Sequence, residues 1–209
     1  MTSSVGTVFV VDDDESVRTA LKRLLTSTGH KVFTFSSAEE FFKHDHCFDV
    51  CGCLVLDIRM PGLSGLELQD QMAIAGISIP IIFITGHGNI PTSVRAIKAG
   101  AMEFLEKPFD DLVLLDVIHR AIEKDTRAKQ AQAKIRVINQ RVASLTPREK
   151  EVFTLVVTGM LNKQVAFELG TSEKTIKVHR ARVMQKMSAE SFADLVRLAE
   201  KAGVHPSEA

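Results

Sequence analysis

Five residues of the 209-residue chain have types that could do chemistry together: Asp12, Asp13, Asp57, Thr85 and Lys107. Each lies at the end of a short apolar run, the pattern of a strand buried on both faces. Val8–Val11 leads to Asp12 and Asp13, Cys53–Leu56 to Asp57, Pro80–Ile84 to Thr85, and Met102–Leu105 to Lys107. Parallel α/β sheets hold their ligands at the carboxyl ends of the strands, so this spacing predicts one shared pocket. Three carboxylates converging there resist desolvation beside one another. A hard divalent cation resolves the conflict, and Mg²⁺ with one or two protein carboxylates plus waters is the expected species. A carboxylate next to such a cation, with a lysine and a hydroxyl alongside, suits phosphoryl transfer to the carboxylate. The cation and Lys107 would neutralise the phosphoryl oxygens while Thr85 donates a hydrogen bond. Asp14 and Glu15 read instead as solvated residues at a helix start.

The elements that must position these residues alternate along the first 125 positions. After Val8–Val11, a helix carries Val17, Ala20, Leu21, Leu24 and Leu25 on one face and stops at Gly29. Lys31–Phe35 reads as a strand, Ala38–Lys43 as a short helix, and MPGLSG as a loop before a helix at Leu66–Ala75. Pro91–Ala99 reads as a helix with proline in its first turn and Gly100 behind it. Five strands separated by helices imply right-handed crossovers and a doubly wound parallel sheet.

From Asp111 to about Ala143 there is neither Pro nor Gly, and Ala, Lys, Gln and Arg dominate, which predicts helix rather than a flexible linker. The remainder contains only helical patterns. Thr146-Pro147-Arg148-Glu149 is a capping box with proline at the first helical position. Asn162–Leu169 is a short helix closed by Gly170, Ser172 caps a longer one to about Met187, and Ser191–Ala202 makes another. A short helix, a tight turn and a longer helix form the helix-turn-helix pattern. The expected division is therefore residues 1–125, a helical linker 126–143, and an all-α domain 144–209.

Charge supports two tasks. The formal net charge is +0, yet residues 1–118 are net acidic while 119–143 and 144–209 are net basic, so a polyanion belongs with the C-terminal part. No apolar run approaches the ~18 residues of a membrane span. MTSSVG lacks a basic-then-apolar export signal, and the 3 cysteines argue for a reducing compartment. The expectation is a cytoplasmic protein with no membrane partner. His44, His46, Cys47, Cys51 and Cys53 crowd one segment, but their spacing fits no familiar zinc pattern, and they read as small buried or loop thiols.

On the helix 173–187, Ile176, Val183 and Met187 share an inward face. Lys177, Val178, Ala181, Arg182 and Gln185 lie opposite. An exposed valine on a basic face fits a thymine methyl, and Lys177 fits a guanine edge. Asn162, Lys163, Thr175, Arg182 and Lys186 are the candidates for phosphate contacts.

VFVVDDD, LVLDIRMPGLSGLEL, PIIFITGHG and KAGAMEFLEKPF resemble the receiver domain of two-component response regulators. LTPREKEVF and NKQVAFELGTSEKTIKVHRARVMQKM resemble the LuxR-type helix-turn-helix. Together, over about residues 6–203, they resemble the FixJ/NarL-type transcriptional regulators. The resemblance implies a five-stranded sheet in the flavodoxin-like order 2-1-3-4-5. It implies phosphorylation of Asp57 by a sensor histidine kinase, and Mg²⁺ on Asp13, Asp57 and the Arg59 backbone carbonyl, with Asp12 assisting. Thr85 and Phe104 take the places of the family's switch pair, and Lys107 that of its lysine, with a cis bond to Pro108. Asn89 departs from the Asp that FixJ-like members often carry. Base readout falls to Lys177, Val178 and Ala181. The partners implied are the kinase, double-stranded promoter DNA, RNA polymerase and, once phosphorylated, a second copy.

Two rival readings differ in class. An aspartyl-phosphate hydrolase usually needs a second Asp two residues after the nucleophile, where this chain has Arg59. A DNA-binding protein with an inert receiver as scaffold would take no phosphoryl group at all. One further pattern concerns the joint. Leu114, Val117, Ala121, Ala128, Ala131, Ile135, Ile138, Val142 and Leu145 follow steps of three and four, broken only at Lys124. That spacing predicts a seam docking on a partner helix in the active dimer.

Overall fold

The computed structural model describes residues 5–43, 50–86 and 90–204. The chain divides into two compact units, Met1–Lys129 and Gln130–Ala209.

In the first unit, β1 (Thr7–Val11), β2 (Lys31–Phe35), β3 (Gly52–Asp57), β4 (Ile81–Thr85) and β5 (Glu103–Glu106) form a parallel sheet in the order β2-β1-β3-β4-β5. Helices α1 (Glu15–Ser27), α2 (Ala38–Phe42), α3 (Gly65–Ile74) and α4 (Ile90–Lys98) alternate with the strands, and α5 runs Asp111–Ala143. Because strand side chains alternate in direction, the sheet feeds two cores. Phe9, Val11, Leu54, Leu56 and Phe83 pack on one side with Phe41, Leu68, Met72 and Ala96. Val8, Val10, Val55, Ile82 and Ile84 pack on the other with Leu21, Leu25, Leu114 and Val117. These central strands are buried along their whole length, which is why they read as continuous apolar runs. The helix starts are capped as their residues dictate: Asp14 accepts from the Ser16 N–H, and Ser64 with Glu67 completes a capping box.

The long helix is where the expectation changes. Residues 126–129, read as linker, belong to the first unit. Asp125 is 3% exposed. Its carboxylate accepts from the Gly52 N–H at 2.8 Å and from Lys129 Nζ at 2.8 Å, and Lys129 also donates to the Val50 carbonyl at 2.6 Å. This pair, buried on the Asp125 side, ties the helix to the start of β3, the strand that ends in Asp57. Gly52 has no alternative there, since a Cβ would sit 2.1 Å from the Thr7 carbonyl oxygen.

The two ends of the seam are likewise taken up by the protein's own domains. Leu114, Val117 and Ala121 are buried in the first unit, and Ile138, Val142 and Leu145 pack in the core of the second. Ala128, Ala131 and Ile135 remain exposed. Three-four periodicity reports that a stripe is covered, not what covers it.

The second unit contains α6 (Pro147–Val156), α7 (Asn162–Glu168), α8 (Glu173–Met187) and α9 (Phe192–Lys201) around Val152, Phe153, Val165, Ile176, Val183, Met187 and Leu195. The expected capping box is present: Thr146 Oγ1 accepts from the Glu149 N–H at 3.3 Å, and Glu149 accepts from the Thr146 N–H at 2.9 Å. Glu149 is buried, and it also receives Lys186 Nζ at 2.6 Å. Those bonds, Lys186 foremost, hold its carboxyl down at about 2, against an ordinary 4.5. A carboxyl whose folded value is depressed stabilises the fold above its unfolded value and loses that contribution as pH falls through the folded one. Glu149→Gln should therefore cost ~1.5–3 kcal/mol at neutral pH, as a charged hydrogen bond is lost. Urea unfolding between pH 7 and 2 checks this. The difference between parent and variant should shrink below about 4.5 and vanish near 2.

Candidate phosphoacceptor pocket and DNA-reading helix

Strand register brings the predicted residues together. Val11 pairs with Leu56 and Asp57 with Ile84, so Asp12 and Asp57 leave the sheet side by side. Thr85 pairs with Glu106, and the Lys107 N–H donates to the Thr85 carbonyl at 2.7 Å. Asp12 and Asp57 are buried, Asp13 is exposed, and one ligand-capable oxygen from each lies within 4.8 Å of the others. Lys107 Nζ donates to Asp12 Oδ2 at 2.6 Å and reaches Asp57 Oδ2 at 3.4 Å. Its peptide bond to Pro108 is cis.

The electrostatics are uneven. Burial pushes the Asp57 carboxyl above its ordinary value, and Asp12 adds to the rise while Lys107 opposes it. Burial alone would lower the Lys107 ammonium, but its bond to Asp12 and the charges of Asp12 and Asp57 outweigh that and raise it. Among the described residues Lys107 is thus shared by Asp12 and Asp57, with its shorter bond to Asp12, and no ion pair reaches Asp13. The Arg59 N–H gives Asp57 Oδ1 only a long contact of 3.4 Å. The donor set is all oxygen, net negative and open on the Asp13 side, which fits a hard divalent cation. Thr85 is buried at the adjacent strand end, and Phe104 is half-buried on β5 against the α3–α4 side of the sheet.

In the second unit α7 and α8 make the helix-turn-helix, with Gly170 at φ 60 in the turn. Ser172 caps α8 by accepting the Thr175 N–H. Lys177, Val178, Ala181 and Arg182 are exposed on one face, while Ile176, Val183 and Met187 face the core. Lys177 sits 3.7 Å from Glu173, an exposed pairing weak enough to yield to another anion. Lys163 is exposed, and Asn162 accepts from Arg180 at 3.1 Å. Thr175 shares its hydroxyl with Ser172 at 2.8 Å.

A family model for the response regulator receiver domain matches residues 8–119, and one for the bacterial regulatory proteins of the luxR family matches residues 143–199. Nodulation protein W of Bradyrhizobium diazoefficiens is 50% identical over 202 residues, covering 97% of this chain and 88% of that one. This chain belongs to the two-component response regulators. The transcriptional regulatory protein FixJ of Rhizobium meliloti is 45% identical over 202 residues, 96% of this chain and 98% of its own. Among solved structures, the response regulator StyR matches with 50% identity and a TM-score of 0.85 over 93% of this chain and 98% of that one. Full-length FixJ from B. japonicum matches with 44% identity and a TM-score of 0.57 over 95% and 97%. The molecule is a transcriptional response regulator with a receiver and a LuxR-type DNA-binding domain, not an enzyme of metabolism.

For this response regulator, sequence reasoning located the charged centre but missed its supports. Arg18 of α1 donates to the Asp12 backbone carbonyl at 2.7 Å, fixing the loop that carries Asp12 and Asp13. Gly65 lies against Asp57 so closely that a Cβ would stand 2.2 Å from the Asp57 carbonyl oxygen. The second glycine of MPGLSG was the available signal for it. Lys186, expected on a DNA phosphate, has its ammonium engaged by Glu149 and by the Ser144 carbonyl at 3.1 Å. Its place at the end of α8 looked solvated only because Glu149 is distant in sequence. Cys53 is buried in β3, where desolvation pushes its thiol up, and Cys51 is half-buried. His44, His46, Cys47 and Asn89 lie outside the described residues. No helix among the described residues is long and apolar enough to cross a membrane. The Gly65 contact yields a test: Gly65→Ala should lower receiver stability in urea by ~1–3 kcal/mol, the usual cost of overpacking. Gly86→Ala would then serve as a control for glycine replacement in open space, since nothing lies within 4 Å of that Cβ position and its φ is not left-handed.

Proposed function

We propose that Asp57 is the phosphoacceptor and that its phosphorylation by a sensor histidine kinase, in the cytoplasm, drives dimerisation and promoter binding. The observation that carries this reading is the pocket itself: three carboxylates with one lysine, and that lysine closer to Asp12 than to Asp57. In this reading an Asp57 carboxylate oxygen attacks the phosphorus of a phosphohistidine, the P–N bond breaks, and the imidazole leaves with the electron pair. Asp13, Asp57 and the Arg59 backbone carbonyl, with Asp12 assisting, would hold Mg²⁺. When bound, that ion supplies positive charge to the transferring oxygens. Lys107 turns to the phosphoryl group, Thr85 donates to one of its oxygens, and Phe104 moves into the space Thr85 vacates.

The dimer is supported by an apolar stripe on α4, where Ile90, Val94 and Ile97 are exposed, with Leu112 and Val113 exposed at the start of α5. Helix α8 then reads the major groove through Lys177, Val178 and Ala181. Asn162, Lys163, Thr175 and Arg182 grip phosphates. RNA polymerase is the partner that a promoter-bound regulator implies.

Two measurements test the reading. Asp57→Asn should take no phosphoryl group from acetyl phosphate and Mg²⁺, because the amide is a far poorer nucleophile. Mass spectrometry decides, and full labelling of the variant would move the acceptor elsewhere. Rapid turnover in the parent protein would favour the hydrolase, and absence of label the scaffold. In DNA titrations, Lys177→Ala should weaken operator binding by ~1–3 kcal/mol with little effect on random duplex. Arg182→Ala should weaken both alike and flatten the salt dependence.

A further inference from the structure

Among the described residues, Ala96 is the buried residue of helix α4, and its outward face carries Ile90, Val94 and Ile97. Two polar links among the described residues join it to α3. Arg95 pairs with Asp70 at 3.2 Å, with both side chains more than half exposed, so that link is weak in water. The other is buried: Gln69, 4% exposed, donates through Nε2 to the Ala96 carbonyl at 3.2 Å. That carbonyl already accepts the Ala101 N–H at 3.0 Å, so helix geometry does not require the glutamine.

Stability does not require it either. The Gln69 Oε1 atom is buried without a partner among the described residues, a desolvation cost that leucine would not incur. Beside it lies an open groove of about 320 Å³ lined by Met72, Ile77, Ile79 and Gly100, at the end of α4. A glutamine that adds little to global stability, bonded at the buried residue of α4, has one evident effect. It fixes where α4 sits.

We infer that Gln69 is a positioning residue, a buried tether from α3 that holds α4 and so sets the position in which its exposed apolar stripe is presented to a second copy. The last step rests on the reading of α4 as the dimer face. Gln69 touches none of the reacting groups, and its removal leaves the acidic pocket intact.

Amide hydrogen exchange on the unphosphorylated full-length protein tests the tether. In Gln69→Leu the amides of α4 should exchange roughly ten-fold faster or more, while those of β1 and β3 keep the parent rates. Asp70→Ala, which removes only the surface pair, should leave α4 unchanged. If α4 exchange in Gln69→Leu equals that of the parent, or rises only together with β1 and β3, the tether is refuted. Sedimentation of the same variant without phosphodonor separates the second step. Self-association at lower concentration than the parent supports the full proposal. Faster α4 exchange with parent-like association keeps the tether and rejects α4 as the dimer face.

Discussion

Charge crowding at the carboxyl edge of one parallel sheet is the constraint on which the rest of this response regulator depends. Asp12 and Asp57 are buried within ligand distance of Asp13, and Lys107 is the cation placed among them. Two buried carboxylates beside a third cost folding energy unless they are neutralised, and a single lysine leaves negative charge over. Burial above all, with the Asp12 charge adding to it, pushes the Asp57 carboxyl up against the opposing charge of Lys107. A site built this way gains from a divalent cation and from anything that lets Lys107 and Thr85 find a stronger anion.

The scaffold exists to hold that crowding in place. Three buried strands end together, Arg18 pins the carbonyl of Asp12, and Gly65 lets the following loop lie on Asp57. At the opposite end of β3, Asp125 and Lys129 bind the long helix to Gly52 and Val50. The strand that carries the acceptor is thus clasped at both ends, once by the pocket and once by the element that leaves the receiver. By contrast the buried tie of α4 to α3 is the single bond from Gln69 to the Ala96 carbonyl among the described residues.

What was legible in the sequence follows physical range. Buried strands read as apolar runs, and the residues ending them fell into one pocket because parallel strands share a carboxyl edge. The capping box at Thr146 was legible because it closes within four residues, whereas the one at Ser64 was read as part of the MPGLSG loop. Arg18, Asp125 and Gln69 were not, since each acts on a backbone group through an arrangement that local pattern does not encode. Lys186 read as a surface cation because Glu149, 37 residues away, is its partner. The seam along α5 was real as a stripe, but a stripe does not say which core it enters.

The most direct test of the account is the appetite of the pocket for a divalent cation. Calorimetric titration of Mg²⁺ into the full-length protein should show saturable uptake of one ion per chain. Asp13→Asn should abolish that uptake without lowering thermal stability, since Asp13 is exposed and removing its charge relieves the crowding. Absence of saturable uptake in the parent protein, or uptake unchanged in Asp13→Asn, would contradict the claim that uncompensated charge at this edge makes the site.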